Sequence, residues 1–553
     1  MEIPGGLFSI RLPYDPDQPF RWPVSIAEVA GMQAALEDGL AGVARQAGSP
    51  RARNIYLIAF KWLLVECLSL LHACLILSRA QARGDQLMFS AEYPMFSGLQ
   101  RDGVPYGDGV VPLRAKRTPA GLWPYSMTAL RRMGRQVQWV GWRGCLMHRK
   151  SDAAAITVMA HNPLLLQALK ADGRPVYYLA SDRLVPASDP RTPESELTRQ
   201  LHVLAEASWE LIRELLARIG WTPSDKLRRY VLSLTTGLLQ QVAQDYRHVE
   251  RLWAHDCPRT LWTGSGGFYW ARIARAIVQE RGGEVVGFDH GGPTSALQSK
   301  DIYYIDGLFA SRFITHTQAG AALYQENARY WPFGLPPLRV DGCPGNSVRH
   351  LRELVEREWA KPGSGKIRRV MYVGTVFRGE RHWTETVLMD DAVYLDWQAR
   401  LMATLVRSGV DVICKPHPGG MLKGRRLEYT TTCTFRYEPL EEIWDEADAF
   451  VFDYAGSTAF WHTLCTRKPV IWINHGLHPW HTEPYALIQR RCRIVDAGFD
   501  EDNRLQMDVS LLRRHLQEPP GEPDLAFVLR YMIGDPAKPS VSEPAAATSP
   551  QVR

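Results

Sequence analysis

Residues 411–420 read DVICKPHPGG: an apolar run of strand length, then a lysine, a histidine held between two prolines, and two glycines. Val412, Ile413 and Cys414 suit a strand buried on both faces. Proline fixes φ and stiffens its neighbour, whereas glycine lets another group approach the backbone closely. The stretch therefore reads as a buried strand whose exit loop, locked by Pro418, presents Lys415 and the imidazole of His417 at a fixed angle.

The same grammar repeats on both sides. Upstream, RRVMYVG (368–374) is a strand and AVYLDWQARLMATLVRSG (392–409) a helix closed by glycine. Downstream come the short strand TCTFRY (432–437), the helix PLEEIWDEA (439–447), the strand DAFVFD (448–453), the helix STAFWHTLCTR (457–467) and the strand KPVIWIN (468–474). Strands alternating with helices across short turns predict a parallel sheet covered on both faces. A second alternation precedes it: strand RTLWTG (259–264), helix GFYWARIARAIVQERGG (267–283), strand EVVGFD (284–289), strand RFITHT (312–317), helix 318–331 and strand LRVDG (338–342). KPGSGK (361–366) is the linker candidate between the two. Ahead of both lie a long helical pattern to about residue 82, a candidate first strand at 85–94, and a helical hairpin, 196–220 and 226–253, joined by WTPSD.

Ligands of such sheets gather at the carboxyl ends of the strands. Three exits of the C-terminal sheet carry anion-friendly groups: Lys415 and His417; Gly456, Ser457 and Thr458 in YAGSTAF (454–460); and Gly374, Thr375 and Arg378 in GTVFRGER (374–381). Each has a plainer reading. Gly-Ser-Thr is a common helix N-cap, Lys-Pro-His-Pro a rigid turn, and Arg378 beside Glu380 a solvated ion pair. Their convergence on one sheet favours a phosphate site. In the first alternation, EVVGFD exits through Asp289, His290, Gly291 and Gly292, where a carboxylate or imidazole can deprotonate a hydroxyl or simply hold a turn. TGSGG (263–267) reads as a tight strand-to-helix turn, and Asp390-Asp391 as a helix cap rather than a metal site.

A KPHPG loop followed about forty residues on by DYAGST (453–458) resembles the GT-B glycosyltransferases of bacterial surface-polysaccharide assembly. The resemblance is to the HP-motif type, sialyl and Kdo transferases, and is similar also to the CDP-glycerol and CDP-ribitol polymerases. It implies an α/β fold of two Rossmann-like doubly wound domains facing across a cleft, with an additional N-terminal helical region. The expected parts are an acceptor-side domain over 1–345, a linker over 346–366, a nucleotide-sugar-binding domain over 367–535 and a disordered tail over 536–553. By position, the resemblance implies that His417 contacts the donor phosphate with Pro418 holding its loop. Ser457 and Thr458 would bind the same phosphate, and Glu438 would lie at the nucleoside. The implied donor is a CMP-activated acidic sugar, the acceptor a bacterial glycan or its lipid-linked precursor, with no metal and no further cofactor. Asp289 and His290 are the candidates for the base. The acidic-acidic-glycine motif of several such sialyltransferases is missing: Asp-Gly occurs in RDG, ADG, IDG and VDG with no second acid before it. Glu92 is a minor alternative. A CDP-polyol phosphotransferase and a non-catalytic glycan-binding partner of the same build are the competing readings.

Composition agrees with a soluble two-domain chain: 553 residues, 45% hydrophobic, 22% charged. A net charge of +6 is too small and too dispersed for nucleic acid, and suits anionic substrates. Nine scattered cysteines without a CxxC pair point to free thiols in a reducing compartment. The start MEIPGGLFSIRLPYD has no signal-peptide pattern, and YLIAFKWLLVECLSLLHACLIL (56–77) carries Lys61, Glu66 and His72, which favours a buried helix over a membrane span. The expected location is cytoplasmic. The basic stretch 131–150 reads as a solvated face, with peripheral contact to anionic lipid at the inner membrane as its alternative.

Overall fold

The structure is a computed structural model that describes residues 17, 19–85, 94–105, 155–160, 162–186, 195–298, 300, 302–327, 330–332, 334–343, 348–361, 365–377, 389–417, 433–519 and 521–534. Arg378, Pro418, Glu92, most of the expected strand at 85–94, the basic stretch 131–150 and the tail over 536–553 lie outside the described residues.

Two parallel sheets organise the chain. The first contains β1 (Ile156–Met159), β2 (Val176–Tyr178), β3 (Thr260–Thr263), β4 (Glu284–Phe288), β5 (Arg312–Thr315) and β6 (Arg339–Gly342) in the order β2-β1-β3-β4-β5-β6. Every neighbouring pair in it is parallel. The second contains β7 (Arg369–Val373), β8 (Asp411–Lys415), β9 (Thr434–Phe435), β10 (Ala449–Phe452), β11 (Val470–Asn474), β12 (Arg493–Phe499) and β13 (Leu505–Met507). Its order is β13-β12-β11-β10-β7-β8-β9, parallel except for β12 with β13. β1, β3 and β10 are buried along their whole length, as strands covered on both faces must be. The strand order reverses between β1 and β3 in one sheet and between β7 and β10 in the other, and these reversals are where doubly wound sheets open a crevice. The chain thus has two doubly wound α/β units with a helical region ahead of them.

That region is two helices, not one continuous pattern. α1 (Ile26–Arg45) and α2 (Pro50–Arg83) are separated because Ser49 accepts the Ala52 N–H as an N-cap and Pro50 takes the first helical position. α2 is long and apolar enough to cross a membrane, but 78% of its most apolar window is buried inside the molecule. It packs against the hairpin of α3 (Ser195–Arg218) and α4 (Asp225–Leu252), the latter capped by Ser224. The hairpin is inserted into the first sheet: β1 and β2 precede it in the chain, β3 follows it, and β1 pairs with β3.

The stretch 346–366, expected as a linker, includes the helix Arg349–Trp359, packed against the C-terminal segment 528–533. Arg352 donates to the Ile533 carbonyl at 2.6 Å. The same segment packs on α6 (Gln318–Glu326) of the first unit, so the chain's last described turn crosses back. Cys67, Cys74, Cys414, Cys465 and Cys492 are buried free thiols.

Candidate functional site

The units meet where β4 leaves the first sheet. Its exit, Asp289-His290-Gly291-Gly292, lies against α8 (Thr458–Leu464), the helix that follows β10; α5 (Tyr269–Glu280) follows β3 and α7 (Asp391–Arg407) follows β7. Gly291 and Gly292 have φ of 89° and 143°. A Cβ on Gly291 would stand 2.5 Å from Thr458 Oγ1, and one on Gly292 2.1 Å from Trp461 Cδ1. Glycine is required here because another unit's side chains occupy the space a Cβ needs. The contact continues along the loop after β11. The Gln298 N–H donates to the Pro479 carbonyl at 2.8 Å, and the His481 N–H to that of Ala296 at 3.1 Å. Leu297 and Trp480 form an antiparallel bridge, and Asn327 Nδ2 lies 3.1 Å from His481 Nε2.

The two base candidates have different surroundings. The Asp289 carboxylate is buried and accepts from Thr315 (2.9 Å), Thr294 (3.3 Å) and Tyr324 (3.3 Å), an arrangement that ties the β4 exit to β5 and α6. His290 is half-exposed, and its Nδ1 lies 3.1 Å from Asp306 Oδ2. Burial works to raise the Asp306 pKa, but His290, Arg275 and the Gly266 N–H together hold it below the usual carboxylate range. An anionic partner on Nδ1 fixes the imidazole tautomer and leaves Nε2 as the basic atom. Arg275, fully buried, donates to Thr263 Oγ1 and to the carbonyls of Asp306 and Leu308, and so fastens this loop to β3. Arg272 does the same for the carbonyls of Gly266 and Tyr304. The Gly266-Gly267 turn is tight because Arg275 and the carbonyls of Ile305 and Asp306 fill the space beside Gly266.

On the second sheet, Lys415 closes β8 and is buried, which lowers its pKa against the opposing pull of Glu441 and Glu438. His417, two residues further, is exposed. The Gly374 N–H donates to the Lys415 carbonyl at 3.2 Å, so the exits of β7 and β8 run side by side. The Thr375 N–H donates to the Tyr394 hydroxyl at 2.7 Å. Ser457 is the N-cap of α8, accepting the Phe460 N–H at 3.1 Å, so the plainer reading of Gly-Ser-Thr describes what its side chain does. Gly456 lies against the Tyr454 ring, and Thr458 against Gly291. Glu438 is exposed beyond β9 and accepts the Tyr437 N–H at 2.9 Å. The exits of β8 and β10 are separated by β7, about 10 Å at ordinary strand spacing. That distance fits two ends of one nucleotide-sized ligand better than two contacts to a single oxygen. Asp390 stands at the N-cap of α7 but makes no side-chain cap bond; its carboxylate lies 3.1 Å from His72 Nε2 and joins the helical region to the second unit. Among the described residues no cluster of three His, Cys, Asp or Glu groups is placed to hold a metal.

A cavity of about 390 Å³, including space open to solvent, lies at the exits of β7, β10 and β11, the reversal point of the second sheet. Of the anticipated residues Thr375 lines it, together with Tyr394, Asp453, Tyr454, Asn474 and His475 among others. Asp453 Oδ2 accepts from the Tyr372 hydroxyl (2.5 Å) and Trp397 Nε1 (3.2 Å), and Oδ1 from the Tyr394 hydroxyl (3.3 Å). Burial pushes its pKa up to about 6 despite these donors. His475 is buried with its ring edge-on to Trp397, and burial lowers its pKa to about 3. Sequence reading passed over Asp306, Asp453 and His475. Asp306 stood in the IDG already noted, and Asp453 ends a buried strand on a carboxylate, the available signal.

No protein-family model matches the chain. No curated protein matches it either. Among solved structures it is similar to the glycosyltransferase SnogD from Streptomyces nogalater, at 15% identity over 66% of this chain and 89% of that one, with a TM-score of 0.28. A likeness at that score carries no weight, and the two-unit, doubly wound build rests on the strand orders and on the contact between the units.

Proposed function

We propose that the chain is a glycosyltransferase that moves a sugar from a nucleotide-activated donor, held by the C-terminal unit, to a hydroxyl of an acceptor held by the N-terminal unit. The observation that carries this reading is the His290–Asp306 pair beside Gly291, where the first unit's β4 exit meets the second unit. His290 Nε2 takes the acceptor proton as the acceptor oxygen attacks the anomeric carbon. The bond from that carbon to the phosphate oxygen breaks, and the departing nucleotide keeps the electron pair. Asp306 stabilises the imidazolium that forms, while Lys415 and His417 offset the charge on the leaving phosphate. Asp289 acts by positioning, through the hydroxyls it gathers around the β4 exit.

The KPHPG and DYAGST pairing supports a finer reading: a CMP-linked acidic sugar as donor and a bacterial surface glycan or its lipid-linked precursor as acceptor, at the cytoplasmic side. The same pairing supports transfer of a polyol phosphate from a CDP donor as the second reading. Release of nucleotide from CMP-sialic acid, CMP-Kdo, UDP-glucose, GDP-mannose and CDP-glycerol distinguishes them. The wild type releases nucleotide from one of these, and His290→Ala slows that release about a hundred-fold or more while nucleotide binding persists. Release unchanged in His290→Ala rules out the imidazole as base.

A further inference from the structure

The exits of β7 and β10, which flank the reversal of the second sheet, are tied together through one tyrosine of α7. The Tyr394 hydroxyl accepts the Thr375 N–H at 2.7 Å and lies 3.3 Å from Asp453 Oδ1 and 3.1 Å from the Tyr372 hydroxyl. Its ring packs on that of Phe377, with centroids 5.1 Å apart, so Tyr394 holds the β7 exit at two points. Gly374 lies just ahead of them. A Cβ there would stand 2.8 Å from Gln398 Nε2, 3.2 Å from the Tyr372 hydroxyl and 3.3 Å from that of Tyr394. The backbone runs against this polar cluster, and only glycine lets it come so close. The Gly374 N–H goes to the Lys415 carbonyl at 3.2 Å, so both leading N–H groups of the exit are spent on holding its shape.

The hydrogen bonds run in one direction. Trp397 Nε1 can only donate, and the Tyr372 hydroxyl donates to the same carboxylate oxygen, Asp453 Oδ2. Oδ1 is left to take the Tyr394 hydrogen. Burial pushes the Tyr394 pKa well up, so the hydroxyl keeps that hydrogen and its oxygen accepts from Thr375. A hydroxyl that donates to a carboxylate is polarised into a stronger acceptor for the next donor. Asp453 follows β10 directly and opens the turn into α8, so the series Asp453, Tyr394, Thr375 joins two exits of the proposed donor site.

We propose that Tyr394 is a positioning residue of the donor site: oriented by Asp453, it takes the Thr375 N–H and fixes the β7 exit in the shape that receives the nucleotide. It acts through the loop and not on the ligand. The inference rests on the donor site proposed above and names the side chain that preforms it.

The test uses the full chain and two readouts. Hydrogen–deuterium exchange with electron-transfer fragmentation follows the Thr375 amide in the ligand-free protein. Calorimetric titration with CMP, CDP, UDP and GDP, and with the five donors named above, gives affinity. Tyr394→Phe keeps the ring on Phe377 and removes the hydroxyl. Its Thr375 amide is expected to exchange about ten-fold faster or more, and the ligand that binds wild type to bind about ten-fold more weakly. Asp453→Asn shifts both readouts the same way by a smaller factor. Ser224→Ala, which removes the N-cap of α4, lowers stability without touching the loop and is expected to leave affinity within about two-fold. An equal loss of affinity in Ser224→Ala makes the effect one of stability alone and overturns the positioning role. Faster exchange with unchanged affinity overturns it too, and leaves the donor site standing. Weaker binding with unchanged exchange assigns the hydroxyl to direct ligand contact, which also overturns it. A wild type that binds none of these ligands refutes the donor site itself, and the positioning role with it.

Discussion

Replacing Gly291 with alanine probes the contact on which the two-unit site depends. Two terms oppose that substitution. A φ of 89° is foreign to an L-residue and costs about 1–2 kcal/mol. The new Cβ would also lie 2.5 Å from Thr458 Oγ1, an overpacking of about 1–3 kcal/mol. The second term depends on one atom, because the next neighbour, Thr458 Cβ, lies at an ordinary 3.7 Å. Thr458→Ala removes Oγ1 and retains Cβ. In that background Gly291→Ala therefore keeps the backbone strain and loses the clash, giving a favourable coupling of about 1–3 kcal/mol. Urea unfolding of the four proteins of the cycle, followed by tryptophan fluorescence, measures it. Additive costs, with no coupling, would mean that Gly291 and Thr458 do not touch, and the interface geometry would be wrong.

Tyr372→Phe removes the 2.5 Å donor from Asp453 and is expected to destabilise the fold by about 1–3 kcal/mol in denaturant titration; an effect below a few tenths of a kcal/mol contradicts the bond. Asp453 also gives a pH signature. Its pKa is raised from 3.8 to about 6, so on acidification the folded state takes up the proton before the unfolded one. Its contribution to stability is full below 3.8 and is lost as pH rises through 6. Wild type should gain up to about 3 kcal/mol relative to Asp453→Asn between pH 7 and pH 4, and a flat difference contradicts that. His417 is exposed past the end of β8, so His417→Ala is expected to change stability by less than about 0.5 kcal/mol while turnover falls; loss of soluble protein would instead assign it a structural role.

Much of the build was legible because periodicity is local. Continuous apolar runs such as 449–452 and 470–473 admit few folds besides buried parallel strands, and Gly282 and Gly409, at positive φ just past their helices, marked the ends of two of the covering helices. What stayed hidden depends on tertiary pairing. β1 precedes a helical hairpin, and no local pattern ties it to β3 about a hundred residues later. Asp306 acquires meaning from His290, sixteen residues away in sequence and brought near by the fold. Ser457 was ambiguous between cap and ligand on sequence alone, and the 3.1 Å bond from Phe460 assigns its side chain to the cap. His475 looks like any residue after a strand; that its ring is buried edge-on to Trp397 emerges only once the sheet and its helices are packed.

The claim beneath the whole account is that strand exits of the C-terminal sheet hold a nucleotide facing the β4 exit of the first unit. Hydrogen–deuterium exchange of the wild-type chain, with and without saturating nucleotide from the panel above, reads this directly. The account predicts slowed exchange at 373–377, 415–417 and 453–458, and at 289–292 across the interface. Protection confined to the helical region, or to none of these segments while nucleotide is demonstrably bound, would contradict it.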